Sequence, residues 1–519
     1  MNLREHWIPF LRASCSLSCL RALFSIALLF AISTESDVAV AAPTNILFCI
    51  ADDASPHFGV YGCDWVKTPN IDELGKRGLV FENVYTPTAK CAPSRAAILT
   101  GRNPWQLEEA ANHMCYFPSK FKSFSEALQE SGLAVGAHGK VWGPGVANLA
   151  NDNPRNWGMD HATGKDIEAS FRQFLASRKS EQPFFYWYGS ANPHRAYELD
   201  SGIAAGKKIS DIDHVPACWP DNDTVRRDML DYAIEVEAFD KEVGQLVKVL
   251  KESGEMANTL VIVTSDHGMP FPRSKGHTYE ISNHVPFVAS WPRGIDKPGT
   301  RVKDLISFID LAPSFLEILG VSEASSGMAA MTGQSIQDLL RGKPEKKRER
   351  ALVGRERNDW GRPELQSYPV RGIVQDKFLL LLNLKPDRWP CCNPETYYPD
   401  TDPSPTKTLI GDAREDEKLK SFWQLSFGIR PAEEFYDLTA DPDCVTNLAD
   451  TPAVQPRKEM MKKQLLDQLA EQKDPRIVGD GDQFDRYLPT RKEWIGKFER
   501  GETDAPGNEK ANNAAKAKR

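Results

Sequence analysis

Two short, almost unbroken apolar runs, each ending on adjacent ligand-type side chains, constrain this chain more than any other feature. Asn45-Ile46-Leu47-Phe48-Cys49-Ile50-Ala51 leads into Asp52-Asp53, and Thr259-Leu260-Val261-Ile262-Val263-Thr264 leads into Ser265-Asp266-His267-Gly268. Runs of this length with no alternating polar position suit strands covered on both faces. A third, Pro183-Phe184-Phe185-Tyr186-Trp187-Tyr188, precedes Asn192-Pro193-His194. Between them the apolar spacing predicts helices over 71–77, 124–130 and 225–251. Alternating strands and helices imply an α/β domain with a mainly parallel sheet. Ligands gather at the carboxyl ends of such strands, which is where these acidic residues and histidines fall.

A chain of 519 residues exceeds one simple core, so a large domain with a smaller companion is expected. The pattern changes after about residue 345, to loops rich in Pro, Asp and Trp, a strand over 377–384 and an amphipathic helix over 454–472. We therefore expect a catalytic domain over 43–345, a smaller C-terminal unit over 346–500 and a disordered tail over 501–519, where large apolar side chains nearly vanish. Residues 1–42 read as a signal peptide: Arg4, Arg12 and Arg21 precede the apolar run 22–32, and small residues fill 38–42. The run is shorter than the roughly 20 residues of a spanning helix. The expected location is thus secreted or periplasmic, with no membrane attachment after cleavage.

The net charge of -8 argues against a nucleic-acid partner. Of the ten cysteines, Cys15 and Cys19 leave with the signal and Cys91 has a chemical role argued next. The remainder is odd in number, which implies a free thiol in an oxidising compartment. None has zinc-site spacing.

Cys91-Ala92-Pro93-Ser94-Arg95-Ala96-Ala97-Ile98-Leu99-Thr100-Gly101 has the form of a helix start: Pro in the first turn, good helix formers, then Gly as a stop. Position 91 then lies at a helix N-terminus, where free N–H groups and the dipole favour an anion, and Arg95 adds a fixed charge. The adjacent carboxylates Asp52 and Asp53 repel unless a cation sits between them, and hard oxygen ligands suit calcium or magnesium.

The whole run from Cys91 to Arg102 matches the signature of the type I sulfatases, and the chain resembles that family loosely from about residue 44 to 470. The resemblance implies an alkaline-phosphatase-like α/β sandwich with a mainly parallel central sheet, plus a smaller C-terminal α+β domain. It implies that a formylglycine-generating enzyme oxidises Cys91 to formylglycine during maturation. It also implies calcium, held by Asp52, Asp53, Asp266, His267 and an oxygen of residue 91. A formylglycine hydrate carries two hydroxyls on one carbon, one to attack sulfur and one to expel sulfate; a thiol cannot do this.

Further motifs extend the resemblance. His138-Gly139-Lys140 is similar to the family's Gly-Lys segment, which makes Lys140 a sulfate contact, and the stretch from Lys275 to Pro286 aligns with a second one, which makes Lys275 a sulfate clamp. His194 corresponds to the leaving-group acid. Three positions depart from the usual pattern: Trp142 where a His is common, His267 where many members carry Asn, and His284 where Arg is usual. The first departure leaves the base for the second half-reaction open, with His138 as one substitute.

Asp266 to Pro272 and Gln366 to Arg371 resemble the heparan N-sulfatase branch, which implies a sulfated saccharide substrate such as a terminal N-sulfated glucosamine. For contacts to that saccharide we single out His113, Arg195, His284, Arg355 and Arg388; the last two lie in charged, aromatic segments suited to a sugar and its anionic groups. Two alternatives stand beside this reading: a phosphate or phosphonate monoester hydrolase of the same superfamily, and a non-catalytic sulfated-glycan-binding homologue.

Overall fold

The apolar runs do form strands covered on both faces. The computed structural model describes residues 44–162, 164–341 and 347–506; the expected signal peptide and the tail from 507 onward lie outside the described residues. In chain order the first ten strands are β1 (Asn45–Ala51), β2 (Leu79–Tyr85), β3 (Cys115–Phe117), β4 (Ala134–Gly139), β5 (Gly145–Ala147), β6 (Asp160–Ala162), β7 (Phe184–Gly189), β8 (Thr259–Ser265), β9 (Phe287–Ser290) and β10 (Thr300–Ser307). Eight of them make one sheet in the order β10-β2-β9-β8-β1-β7-β4-β6. Every pairing is parallel except the two made by β9. The short β3 and β5 pair separately.

Alternate residues of β1 enter two different cores. Ile46, Phe48 and Ile50 pack with Ile98, Leu99, Phe124 and Phe315 on one face. Leu47, Cys49 and Ala51 pack with Tyr232, Val236, Phe239 and Val243 on the other. A fully buried side chain of this kind contributes about 2 kcal/mol relative to exposure, so both helical layers are held through the same seven-residue strand. The predicted helices appear as Pro69–Lys76, Phe124–Glu130 and Asp223–Glu252. Their starts have local causes: Pro69 in the first turn, a Ser123/Glu126 capping box, and the Asn222 side chain accepting from the Val225 N–H. No helix among the described residues is long and apolar enough to cross a membrane.

A second, antiparallel sheet follows in the order β11 (Arg350–Arg355), β12 (Val370–Gln375), β13 (Phe378–Asn383) and β14 (Glu433–Asp437). Asp376 and Lys377 make the two-residue β12–β13 turn with positive φ at both positions, the geometry that matches hairpin twist. One face of this sheet packs Val353, Val374, Leu379 and Leu381 with Tyr85 and Tyr279. The other packs Leu352, Ile373, Leu380 and Phe435 with Met461, Leu465 and Leu469 of the helix Gln455–Glu471. The eight cysteines among the described residues form no disulfide.

Candidate active site

Four neighbouring parallel strands, β8, β1, β7 and β4, end at the same edge, and each delivers part of the site. Ala51 pairs with Ser265, and Ile50 and Gly139 both pair with Gly189, so the segments that follow emerge side by side. These carry Asp52-Asp53, Asp266-His267, His194 and Lys140. Close backbone approach here requires glycine: a Cβ on Gly189 would stand 1.8 Å from the Lys140 carbonyl oxygen, and one on Gly139 would stand 2.1 Å from the Gly189 oxygen.

Cys91 opens a helix, Cys91–Thr100, that is buried along its whole length and ends on Gly101 at φ 66°. The helix is anchored to the site by Ser94, whose hydroxyl donates to the Asp266 carbonyl at 2.7 Å. Its Arg95 is fully buried, with Nε 2.9 Å from Asp266 Oδ2, Nη2 3.4 Å from Asp52 Oδ1, and Nη1 donating to the Lys140 carbonyl at 2.6 Å. Cys91 Sγ lies 3.5 Å from His267 Nε2 and 4.0 Å from Asp53 Oδ1. Burial, and next the charge of Asp52, push its thiol pKa up, so as a plain cysteine this residue is a protonated, inert thiol.

The carboxylates are compensated by fixed cations. Lys140 Nζ reaches both oxygens of Asp52, at 2.6 and 2.8 Å, and Lys275 Nζ reaches Asp53 Oδ2 at 2.6 Å and Asp402 Oδ2 at 2.7 Å. Burial alone would raise Asp52; Lys140 and Arg95 outweigh it and hold that carboxyl well below the usual range. Asp266 goes the other way, raised by burial against the opposing charges of His267 and Arg95. Asp53 sits at φ 80°, a left-handed conformation uncommon for a residue other than glycine, fixed by its N–H donating to Asp266 Oδ1 at 3.1 Å.

The donor set fits a hard divalent cation. Ligand oxygens of Asp52, Asp53 and Asp266 lie within 4.8 Å of one another, as do ligand atoms of Asp53, Cys91 and His267. His267 Nδ1 is 3.0 Å from the Gly268 carbonyl oxygen, which fixes the proton on that nitrogen and leaves the lone pair of Nε2, 3.1 Å from Asp53 Oδ1, available to a cation. This is the tautomer a metal-ligating imidazole needs.

The site opens into a cleft of about 760 Å³ lined by Cys91, Lys140, Lys275 and His194, and also by His113, Arg195 and Trp142. His194 Nδ1 contacts its neighbour's carbonyl oxygen at 2.5 Å, leaving Nε2 on the site side, 4.0 Å from Asp53 Oδ2. Arg195 touches the cleft but is held by Asp228 at 2.7 Å, by the Pro270 carbonyl, and between the Tyr197 and Phe271 rings.

The structure does not bring the other three saccharide candidates to the cleft. Arg355 is buried on Asp400 at 2.7 Å, Arg388 binds Asp485 and the Ser367 carbonyl, and His284 lies on Tyr85 with its nitrogens on Glu280 and the Glu82 carbonyl. His138 also stays outside it. Gly139, between His138 and Lys140, adopts φ 77°, so the two side chains do not follow the two-residue period of a regular strand. Trp142 does line the cleft, packed on Phe117 and Trp157.

Several lining residues escaped sequence reasoning, among them Lys90, Glu235, Asp359, Asp402 and Arg491. Lys90 could have been flagged by its position next to Cys91. The two aspartates come from distant loops with no motif around them.

A parallel sheet whose carboxyl edge gathers carboxylates, imidazole, lysines and a helix N-terminus around one side chain defines a site for cleaving an anionic ester. The chain belongs to the sulfatase family: the model described as Sulfatase matches residues 44–321. A second model, N-sulphoglucosamine sulphohydrolase, C-terminal, matches residues 271–425. The chain is 27% identical to human N-sulphoglucosamine sulphohydrolase over 478 residues, covering 84% of this chain and 91% of the relative. It is 24% identical to an ulvan-active sulfatase of Formosa agariphila over 475 residues, covering 81% and 74% respectively. Among solved structures, a Bacteroides thetaiotaomicron sulfatase described with glycosaminoglycan metabolism superposes with a TM-score of 0.63 at 17% identity, covering 86% of this chain and all of that one. The fold is the alkaline-phosphatase-like sulfatase fold with a small antiparallel C-terminal sheet.

Proposed function

We propose that this chain is an exported sulfatase that removes sulfate from a sulfated carbohydrate, with a terminal N-sulfated glucosamine as its preferred class, using formylglycine at position 91 and a bound calcium ion. The observation that carries the reading is the placement of Cys91 at a helix N-terminus, against the Asp53 and His267 side chains, in a cleft lined by Lys140 and Lys275. The substrate class is supported by the names of the relatives above and by the C-terminal family match.

Formylglycine would supply the hydroxyl nucleophile that a buried thiol cannot. Calcium, held by Asp52, Asp53, Asp266 and His267, would supply the Lewis-acid charge that binds sulfate oxygens. The chain's own residues do the rest. Arg95, Lys140 and Lys275 match Asp52, Asp53 and Asp266 in charge, and Lys90 matches Asp359; Asp402, which shares Lys275, is left over, so a dication still makes the site net positive, as a sulfate monoanion requires. In its protonated form His194 gives the Nε2 proton to the leaving oxygen or nitrogen. The same Nε2 is then a neutral imidazole and can take the proton released in the second half-reaction, so no histidine is needed at Trp142.

Calcium should raise Tm in thermal melts by mass action, by about 2.7 kcal/mol of stability at a hundredfold excess over Kd. His267→Ala should lose most of that shift, and a wild-type melt insensitive to both calcium and chelator would remove the metal from this reading. Against the phosphatase alternative, protein with its formylglycine verified by mass analysis should turn over an aryl sulfate far faster than the matching aryl phosphate. The reverse order would sink the sulfatase assignment, and binding of sulfated glycan without any turnover would favour the non-catalytic homologue.

A further inference from the structure

Beside the sulfate site the cleft lining carries three hydrogen-bond acceptors, Asp402, Asp359 and His113, together with the cations Lys90, Arg195 and Arg491; of these, Lys90 is held by Asp359 and the Asp400 carbonyl and Arg195 by Asp228. Asp402 Oδ2 accepts from Lys275 Nζ at 2.7 Å, while its Oδ1 accepts no hydrogen bond among the described residues and its side chain is 20% exposed. Asp359 repeats the arrangement, with Oδ2 3.2 Å from Lys90 Nζ and Oδ1 accepting no hydrogen bond among the described residues. His113 is only 7% exposed; its Nδ1 lies 3.2 Å from the Asn358 carbonyl oxygen and so carries the proton, leaving Nε2 an acceptor with no partner among the described residues. All three line the cleft that holds Cys91.

This wall is rigid. Between the two carboxylate loops Asp400 is buried and saturated: Oδ1 accepts the Asp359 N–H at 2.8 Å, and Oδ2 accepts from Arg355 and Arg362 at 2.7 Å each. The Asp400 carbonyl accepts from Lys90 Nζ at 3.2 Å, which ties the wall to the residue that precedes the nucleophile. Arg355 thus acts on the cleft through Asp400.

We propose that Asp359, Asp402 and His113 determine specificity, reading hydrogen-bond donors, hydroxyl or amino groups, on the ring positions that flank the scissile sulfate and rejecting a second sulfate there. Acceptors held in place bind ring donors without reorganisation. A neighbouring sulfate offers only acceptors and a like charge, and a site built for a donor discriminates strongly against a group that lacks one. This rests on the proposed sulfatase function.

The test compares, for formylglycine-verified protein, the monosulfated glucosamine that wild type cleaves fastest with its counterpart sulfated on the neighbouring ring position. Wild type should favour the singly sulfated sugar by about tenfold or more in kcat/KM. Asp359→Asn and Asp402→Asn, which keep the shape but remove the charge and introduce a donor, should each shrink that preference severalfold, mostly through KM. The preference is a ratio within one variant, so a general loss of activity cancels. Wild type cleaving the doubly sulfated sugar as fast as the single one overturns the inference, as does an unchanged preference in both variants. Turnover of an aryl sulfate, which has no ring donors, reports on the sulfatase function separately: its absence in wild type would break that reading and this inference with it, whereas aryl sulfate turnover with an unchanged sugar preference in both variants would break this inference alone.

Discussion

Cys91→Ala should abolish sulfate-ester turnover, lowering kcat/KM on the order of 10⁵-fold, because a residue that forms the covalent bond to substrate leaves only binding and electrostatic effects behind when it is removed. Stability should barely change. The side chain is buried in a helix where Ala is the best former, so loss of one sulfur costs about 1 kcal/mol and Tm moves by about 2 °C. Wild-type protein made in a host without the converting enzyme should behave the same way, since burial keeps the unmodified thiol protonated. Kinetics paired with intact mass of the peptide around residue 91 decide this: activity should scale with the formylglycine fraction, and a fully active sample that contains only thiol would end the proposal.

What was legible in the sequence follows from how locally each feature is determined. β1 and β8 were readable because burial on both faces leaves no polar alternate position, and the acidic residues that follow them are placed by strand direction alone. The nucleophile helix was readable from Gly101, whose left-handed φ stops it where expected. The charged loops were not. Arg355, at the end of β11, and Arg388, in a loop, looked suited to gripping a sugar, yet each turns onto a buried or half-buried carboxylate, because an arginine reads alike in sequence whether its partner is substrate or another side chain. The same limit hid Asp359 and Asp402, whose place in the cleft depends on the network around Asp400 and on contacts with residues far away in sequence. His138 was offered as a substitute base only because it lies two residues before Lys140, and nearness in sequence did not bring it into the cleft lining.

Arg95→Ala should be the most destabilising single change at the site and should also lower kcat/KM by about 10²–10³-fold. The guanidinium is fully buried between Asp266 and Asp52, and removing it strands carboxylates whose burial it offset, a cost of about 3–5 kcal/mol. Lys140 can compensate Asp52 but makes no contact that would replace the 2.9 Å bond to Asp266. Calcium should therefore recover more stability in Arg95→Ala than in wild type, because a cation shared by the same carboxylates takes over part of the missing charge. Arg95→Lys should fall between the two, since an ammonium can meet one carboxylate but cannot reproduce the planar fork that spans Asp52, Asp266 and the Lys140 carbonyl. Thermal melts with calcium and with chelator, run alongside kinetics on one aryl sulfate, measure both effects. If Arg95→Ala melts with wild type in chelator, the buried charge balance does not depend on Arg95, and its contribution is confined to binding the sulfate.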